Sequence, residues 1–242
     1  MNAPSPVRRR IVRSVAAGAA IFAGRTLARP AFSDVFTVVT FGDSILDCAR
    51  YNSFGVHPGG LIVRNDDRLF PDYRGRDLSS SAPARADHRA QDGSRVADLR
   101  HQARGLQASE HSVALITIGG NDLLGGLVAD HGPGISRFEQ QLNAFLRRMP
   151  VRPVLLGTVY GPTFGDDSRN FLGIDASAAR ANLNRINSII AELAPRFGEL
   201  VDLHGHFLAG DTSWFTRTIE PSLRGASEVR AAFLPAVLRA RQ

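Results

Sequence analysis

Ser44 is the residue whose type and position first indicate chemistry. Residues 36–41 are apolar and β-branched, which is typical of a buried parallel strand, and the run breaks at Gly42. A glycine at a strand end lets the backbone turn sharply and present the next side chains at the rim of the sheet, where open α/β sheets bind their ligands. Ser44 is therefore a candidate nucleophile, although Asp43 and Ser44 could instead serve only to cap a following helix.

Two further strand ends carry small or polar residues. Gly93 follows a short candidate strand at residues 85–90, and Asn121 follows the apolar strand predicted at residues 112–118. Acyl transfer needs a hydroxyl nucleophile and hydrogen-bond donors for the developing oxyanion, and the backbone amides of Ser44 and Gly93 and the side chain of Asn121 could supply those donors. A side chain at position 93 could block the substrate carbonyl. Alone, the Gly-Gly-Asn-Asp motif around Asn121 would be a turn, but both motifs in this order favour the chemical interpretation.

The elements that must position these residues alternate between strands and helices. Two more buried strands are predicted at residues 154–159 and 200–203. Helices are predicted between the strands and at the carboxyl end, at residues 96–104, 135–149, 176–193 and 226–239. This alternation predicts an α/β fold with a parallel, doubly wound sheet and helices on both faces.

A long segment with little periodicity, residues 48–83, follows Ser44. Segments of this length inside a compact domain are commonly functional. We expect this one to lie over the rim of the first strand and to shape substrate access, because it carries four aromatic residues besides His57: Tyr51, Phe54, Phe70 and Tyr73.

Composition narrows the class of protein. The 242 residues suffice for one α/β domain, and all 29 basic residues are arginines. Six arginines and no acid lie in residues 1–32, so the remaining chain has 23 basic and 23 acidic residues and no single basic stripe that would indicate nucleic-acid binding. Cys48 is the single cysteine, which excludes an internal disulfide, and it is expected to be a packed apolar residue.

The amino-terminal segment, residues 1–32, differs from the domain predicted at residues 33–242. It begins with arginines and continues with a short apolar run and small residues, which is the order of a secretory signal of the twin-arginine kind. The alternatives are a disordered basic tail, or a true start of the protein near Ser33. The apolar run is too short to span a bilayer, so no stable membrane insertion is expected. The protein is therefore either cytoplasmic or exported.

These motifs resemble those of the SGNH/GDSL hydrolases, from about Phe36 to the carboxyl terminus. Residues 42–44 resemble the family's first block, Gly93 its second, and residues 119–122 its third. The resemblance implies a three-layer α/β/α sandwich with a five-stranded, flavodoxin-like parallel sheet. It also implies hydrolysis of an ester or another acyl group with neither a metal nor a cofactor.

The last block departs from the family pattern of Asp-x-x-His-Pro. Glu220 precedes Pro221 where the family has its general-base histidine, and Arg217 stands where the family has the aspartate. A carboxylate in water is a weak base toward a serine hydroxyl, because its pKa is near 4.3; burial would raise that pKa and contact with Arg217 would lower it. Glu220 or His57 is expected to act as the base, with His204 or His206 as further alternatives.

Three classes of function fit the motifs. The first is a serine esterase acting on a small-molecule ester or an acylated carbohydrate. The second is a carbohydrate- or lipid-binding relative without turnover, and the third is an acyltransferase on the same scaffold. Neither the acyl group nor the oligomeric state is indicated by the sequence.

Overall fold

Five parallel strands form the central sheet. The computed structural model describes residues 35–242, and the amino-terminal segment predicted at residues 1–32 lies outside this range. The strands are β1 (Phe36–Gly42), β2 (Ala84–His88), β3 (Ser112–Thr117), β4 (Val154–Gly157) and β5 (Gly198–Val201). They are arranged in the order β2-β1-β3-β4-β5, so the predicted doubly wound, flavodoxin-like sheet is confirmed.

Seven α-helices accompany the strands in the described part of the chain. They are α1 (Pro58–Val63), α2 (Leu99–Gln102), α3 (Gly120–Leu124), α4 (Pro133–Arg148), α5 (Ala176–Phe197), α6 (Leu203–Leu208) and α7 (Leu223–Ala240). The predicted helix at residues 96–104 is only a 3₁₀ turn followed by the short α2. The fifth strand ends earlier than predicted, so His204 and His206 belong to α6. Within the described range, no helix has the length and apolar character needed to cross a membrane.

One face of the sheet packs against α4 and α5. Phe41 and Ile116 of the strands share a buried cluster with Phe138 of α4 and Ile186 of α5. In α4 the buried residues recur with the helical period seen in the sequence, at Ile135, Phe138, Leu142, Phe145 and Leu146. Burying this apolar stripe removes it from water, which fixes the helix on the sheet.

The opposite face packs against α1, α6 and α7. Leu115 of β3 lies there in a second buried cluster with Ile62, Phe207 and Phe233 from these three helices. Alternate residues of each strand point to opposite faces, so both faces of the buried strands must be apolar. The result is the three-layer α/β/α sandwich that the resemblance implied.

Phe70 and Tyr73 lie around Arg230 of α7 and do not line the cavity beside Ser44. The Arg230 guanidinium carbon is 3.5 Å from the centre of the Tyr73 ring and 4.7 Å from that of Phe70. The buried Arg230 side chain also donates a hydrogen bond of 2.7 Å from its Nη1 to Asn65 Oδ1. These aromatic side chains therefore attach the segment after Ser44 to the last helix through cation–π contacts.

A two-stranded antiparallel hairpin precedes α7. It pairs β6 (Phe215–Thr216) with β7 (Glu220–Pro221) and was not predicted. Arg217 and Thr218 in its turn have positive φ angles of 46° and 74°, which non-glycine residues rarely adopt. The sequence therefore lacked the glycine or asparagine that would have indicated such a turn.

Candidate active site

Ser44 lies on a tight turn at the carboxyl end of β1. Gly42 has a φ of 115°, and a Cβ atom there would lie 1.6 Å from the carbonyl oxygen of Thr117, so only glycine allows β1 to approach β3 this closely. The buried Asp43 holds the turn, because its Oδ1 accepts hydrogen bonds from Ile45 N at 3.2 Å and Thr117 Oγ1 at 3.1 Å. Burial raises the pKa of Asp43 to about 7. Asp43 therefore fixes the position of Ser44 and does not face solvent.

Gln102 of α2 connects the Ser44 turn to the turn that contains Gly93. Its side-chain oxygen accepts from Gly42 N at 2.8 Å, and its Nε2 donates to Gly42 O at 2.8 Å and to Ser94 Oγ at 3.0 Å. One side chain therefore holds two strand ends at a fixed distance. This residue was not predicted, because a glutamine in a short helix forms no recognisable motif.

The proposed oxyanion donors surround this junction. Asn121 Nδ2 donates to the carbonyl of Ser94 at 3.2 Å, which leaves its second N–H for a ligand. Among residues 35–242, the backbone N–H groups of Ser44 and Gly93 have no acceptor. Gly93 has a φ of 80°, and a Cβ atom there would meet no other atom within 4 Å, so the space beside it is open.

Asp122 fixes the orientation of the Asn121 turn. Its carboxylate accepts a hydrogen bond of 3.0 Å from the backbone N–H of Val96, just after the Gly93 turn. Burial raises the pKa of Asp122 to about 6. The second and third motifs are thus joined by two hydrogen bonds, from Asn121 to Ser94 and from Val96 to Asp122.

The hairpin places Glu220 beside Ser44. Burial raises the pKa of the Glu220 carboxyl above its usual value, and the nearby Ser44 hydroxyl lowers it by a smaller amount. No hydrogen bond of standard geometry joins the two side chains, and Glu220 Oε2 is buried with no partner among the described residues. Catalytic hydrogen bonds are often long in the absence of substrate. Glu220 thus lies near the Ser44 hydroxyl.

Charged and polar groups around Glu220 adjust its pKa. Asp92 raises it, and the charges of Arg217 and Arg50 lower it. Asp92 accepts hydrogen bonds from Tyr51 Oη at 2.6 Å and Arg50 at 2.8 Å, and the Arg217 guanidinium lies over the Tyr51 ring at 5.3 Å. Arg217 therefore contacts an aromatic ring and forms no ion pair with Glu220 among the described contacts.

A cavity of about 330 Å³ opens from Ser44 and Asn121. Its lining is mainly apolar, with Leu123, Val128, Val159, Leu172, Leu183 and Ile219. The polar side chains that line it include His204, Asp167, Arg180 and Asn184. Three of the most exposed large apolar side chains in the described chain also line it: Leu124, Phe171 and Leu208. Such a cavity suits an apolar ligand whose reactive group lies at Ser44.

A sequence model of the GDSL-like lipase/acylhydrolase family matches residues 40–226. The chain belongs to this family. The match spans the Ser44, Gly93 and Asn121 motifs and continues through the atypical Glu220 to the start of α7. No curated protein sequence matches the chain.

Solved structures similar to this GDSL-like protein include several hydrolases. A GDSL-like lipase from Parabacteroides merdae has a TM-score of 0.62 at 19% identity, over 84% of this chain and 96% of its own. LAE5, an α/β hydrolase from the metagenome of Lake Arreo, has a TM-score of 0.59 at 22% identity, over 87% of this chain and 98% of its own. The acetylxylan esterase Axe2 from Geobacillus stearothermophilus has a TM-score of 0.61 at 16% identity, over 85% of this chain and 96% of its own. At these identities the likeness shows the fold.

In the described part of this GDSL-like protein, His57 packs against His88 and is not bonded to Ser44. Its ring lies on that of His88 with 4.0 Å between the ring centres, and among the described residues no hydrogen bond joins it to Ser44. Burial and the neighbouring His88 lower the pKa of His57. The structure therefore brings together Ser44, Gly93 and Asn121 with Glu220 and places His57 in a separate cluster.

The two histidines of α6 differ in their surroundings. His206 Nε2 lies 3.1 Å from Glu228 Oε2 on α7, within hydrogen-bond distance of that carboxylate. His204 lines the cavity, its Nδ1 is buried without a partner among the described residues, and burial lowers its pKa. His204 is thus the histidine that shares a cavity with Ser44.

Proposed function

We propose that this member of the GDSL-like family is a serine esterase that hydrolyses a small-molecule ester with an apolar acyl group. The observation that carries the proposal is that Ser44 and Asn121 line one apolar cavity while the partly buried Glu220 carboxyl lies near the Ser44 hydroxyl. A nucleophile, a base with a raised pKa and unused amide donors are the groups that acyl transfer requires.

The reaction follows from these positions. Glu220 takes the proton as Ser44 Oγ attacks the ester carbonyl, and the amide donors of Ser44, Gly93 and Asn121 bind the resulting oxyanion. The tetrahedral intermediate collapses, protonated Glu220 gives its proton to the leaving alkoxide, and the acyl group remains on Ser44. Glu220 then takes a proton from a water molecule as the water oxygen attacks the acyl carbonyl. The second tetrahedral intermediate breaks its bond to Ser44 Oγ and releases the acid, and protonated Glu220 returns its proton to Ser44 Oγ.

We expect Asn121→Ala to lower kcat on the order of 10²-fold with little change in KM, because the lost donor acts mainly on the charged intermediate. Steady-state hydrolysis of a nitrophenyl ester measures this. Asn184→Ala is the matched control, since Asn184 lines the same cavity, and it should stay within a few-fold of wild type. Equal losses in the two variants would contradict the role of Asn121.

A chain-length series of nitrophenyl esters tests the proposed substrate class. The butyrate has two more methylenes than the acetate, and burying each one contributes about 0.8 kcal/mol. We therefore expect kcat/KM for the butyrate ester to exceed that for the acetate ester by about tenfold. Leu124→Ser and Phe171→Ser should reduce this preference, because both side chains line the cavity. A higher kcat/KM for acetylated xylooligosaccharides than for the butyrate ester would instead indicate a carbohydrate substrate.

The two other classes of function give different products. An acyltransferase would pass the acyl group to an added sugar hydroxyl faster than to water, and a binding relative would give no product. We therefore expect the free acid as the main product with or without an added alcohol.

A further inference from the structure

A cluster of two histidines and a carboxylate lies beside the catalytic turn. Asp47, His57 and His88 each offer one ligand atom, and these atoms lie within 4.8 Å of one another. His88 Nε2 is 3.1 Å from Asp47 Oδ1, and the His57 ring packs on the His88 ring. The three residues come from the segment after Ser44, the start of α1 and the end of β2, so the fold itself assembles the cluster.

In two of these side chains, the atom that would not bind the metal already forms a hydrogen bond. His88 Nδ1 is 2.8 Å from Thr40 Oγ1, and Asp47 Oδ2 accepts from the backbone N–H of Asp92 at 2.9 Å. Metal-binding histidines and carboxylates in proteins are oriented by such outer contacts. The buried Nδ1 of His57 has no partner among residues 35–242, so no described protein group competes for it.

The donor set and spacing suit zinc. Two imidazole nitrogens with one carboxylate oxygen are ligands that Zn²⁺ accepts, whereas Mg²⁺ and Ca²⁺ prefer oxygen alone. Ligands of a tetrahedral zinc lie about 3.3 Å apart when each bond is about 2.0 Å, which is close to the 3.1 Å between His88 Nε2 and Asp47 Oδ1. His88 and Asp47 are each about a quarter exposed, which leaves a path for an ion and a fourth position for water.

We propose that Asp47, His57 and His88 bind one Zn²⁺ ion. In the bound form His88 carries its proton on Nδ1, donates it to Thr40 Oγ1 and turns its Nε2 lone pair toward the metal. The sequence prediction named no metal ligand, and the proposed reaction at Ser44 does not use this ion. Its effect is structural, because it joins the turn that follows Ser44 to the start of α1 and the end of β2.

Zinc binding to the purified, chelator-treated protein tests this proposal. Isothermal titration with ZnCl₂, confirmed by metal analysis after dialysis, should give one ion per chain. His57→Gln and His88→Gln should each weaken binding on the order of 10²-fold or more, since a lost ligand costs at least as much as a lost outer contact. His206→Gln is the matched control, because His206 also lies 3.1 Å from a carboxylate but has no third ligand among the described residues, and this variant should bind zinc as wild type does.

Thermal melting in chelator checks that each variant is folded, and Asp47→Asn offers a variant of equal size if a histidine variant does not fold. Co²⁺ added to wild type should produce visible absorption bands of a low-symmetry site, and these should be absent from Asp47→Asn. Failure of wild type to bind zinc, or equal binding by wild type and both histidine variants, would overturn the proposal. Because binding is measured directly, the result does not depend on the esterase activity.

Discussion

Glu220→Gln should lower kcat on the order of 10³-fold, since a general base contributes about 10²- to 10⁴-fold to such reactions. The amide preserves the size of the side chain and its place in the hairpin but cannot take the proton of Ser44. Steady-state assays on the preferred ester measure the effect. His57→Gln and His204→Gln are the matched controls, and we expect each to retain most of the activity because neither ring is hydrogen-bonded to Ser44 among the described residues.

The pH profile gives the same hypothesis a second readout. Burial raises the pKa of Glu220 above its usual value, and only the ionised carboxylate can accept a proton. Activity of wild type should therefore fall as the pH drops through this raised pKa and reach a plateau above it. If His57→Gln or His204→Gln abolishes activity while Glu220→Gln keeps it, the base is a histidine and the proposed role of Glu220 is wrong.

Ser44→Ala should remove activity almost completely, with a loss on the order of 10⁴-fold or more in kcat. No covalent intermediate can form without the hydroxyl, and the amide donors alone give little acceleration. Ser94→Ala is a matched control, because Ser94 is also a buried serine at this junction, and its hydroxyl accepts from Gln102. Comparable losses in both variants would show that the effect comes from disturbing the junction.

Sequence patterns predicted the parts of the structure that depend on local chemistry. The apolar runs before Ser44 and Asn121 become β1 and β3, because a buried parallel strand must be apolar on both faces. Gly42 and Gly93 were informative because of their backbone, since each has a φ angle that other residues rarely adopt. The strands that end just before Ser44 and Asn121 therefore followed from the sequence.

Long-range contacts were not predicted. Arg230 binds aromatic side chains more than 150 residues away in the chain, so no local pattern indicated it as the partner of Phe70 and Tyr73. The hairpin that carries Glu220 turns at Arg217 and Thr218, which are unusual residues for positive φ. Backbone strain of this kind often occurs at functional sites, and it is consistent with the role proposed for Glu220.

The most direct test of the central hypothesis is the rate at which a fluorophosphonate modifies Ser44, followed by mass spectrometry of the labelled peptide as a function of pH. We predict a single adduct on Ser44 in the wild-type protein. Its rate of formation should rise with pH through the raised pKa of Glu220 and fall by orders of magnitude in Glu220→Gln. A wild-type protein that stays unlabelled at Ser44, or a Glu220→Gln variant that labels at the wild-type rate, would contradict the hypothesis.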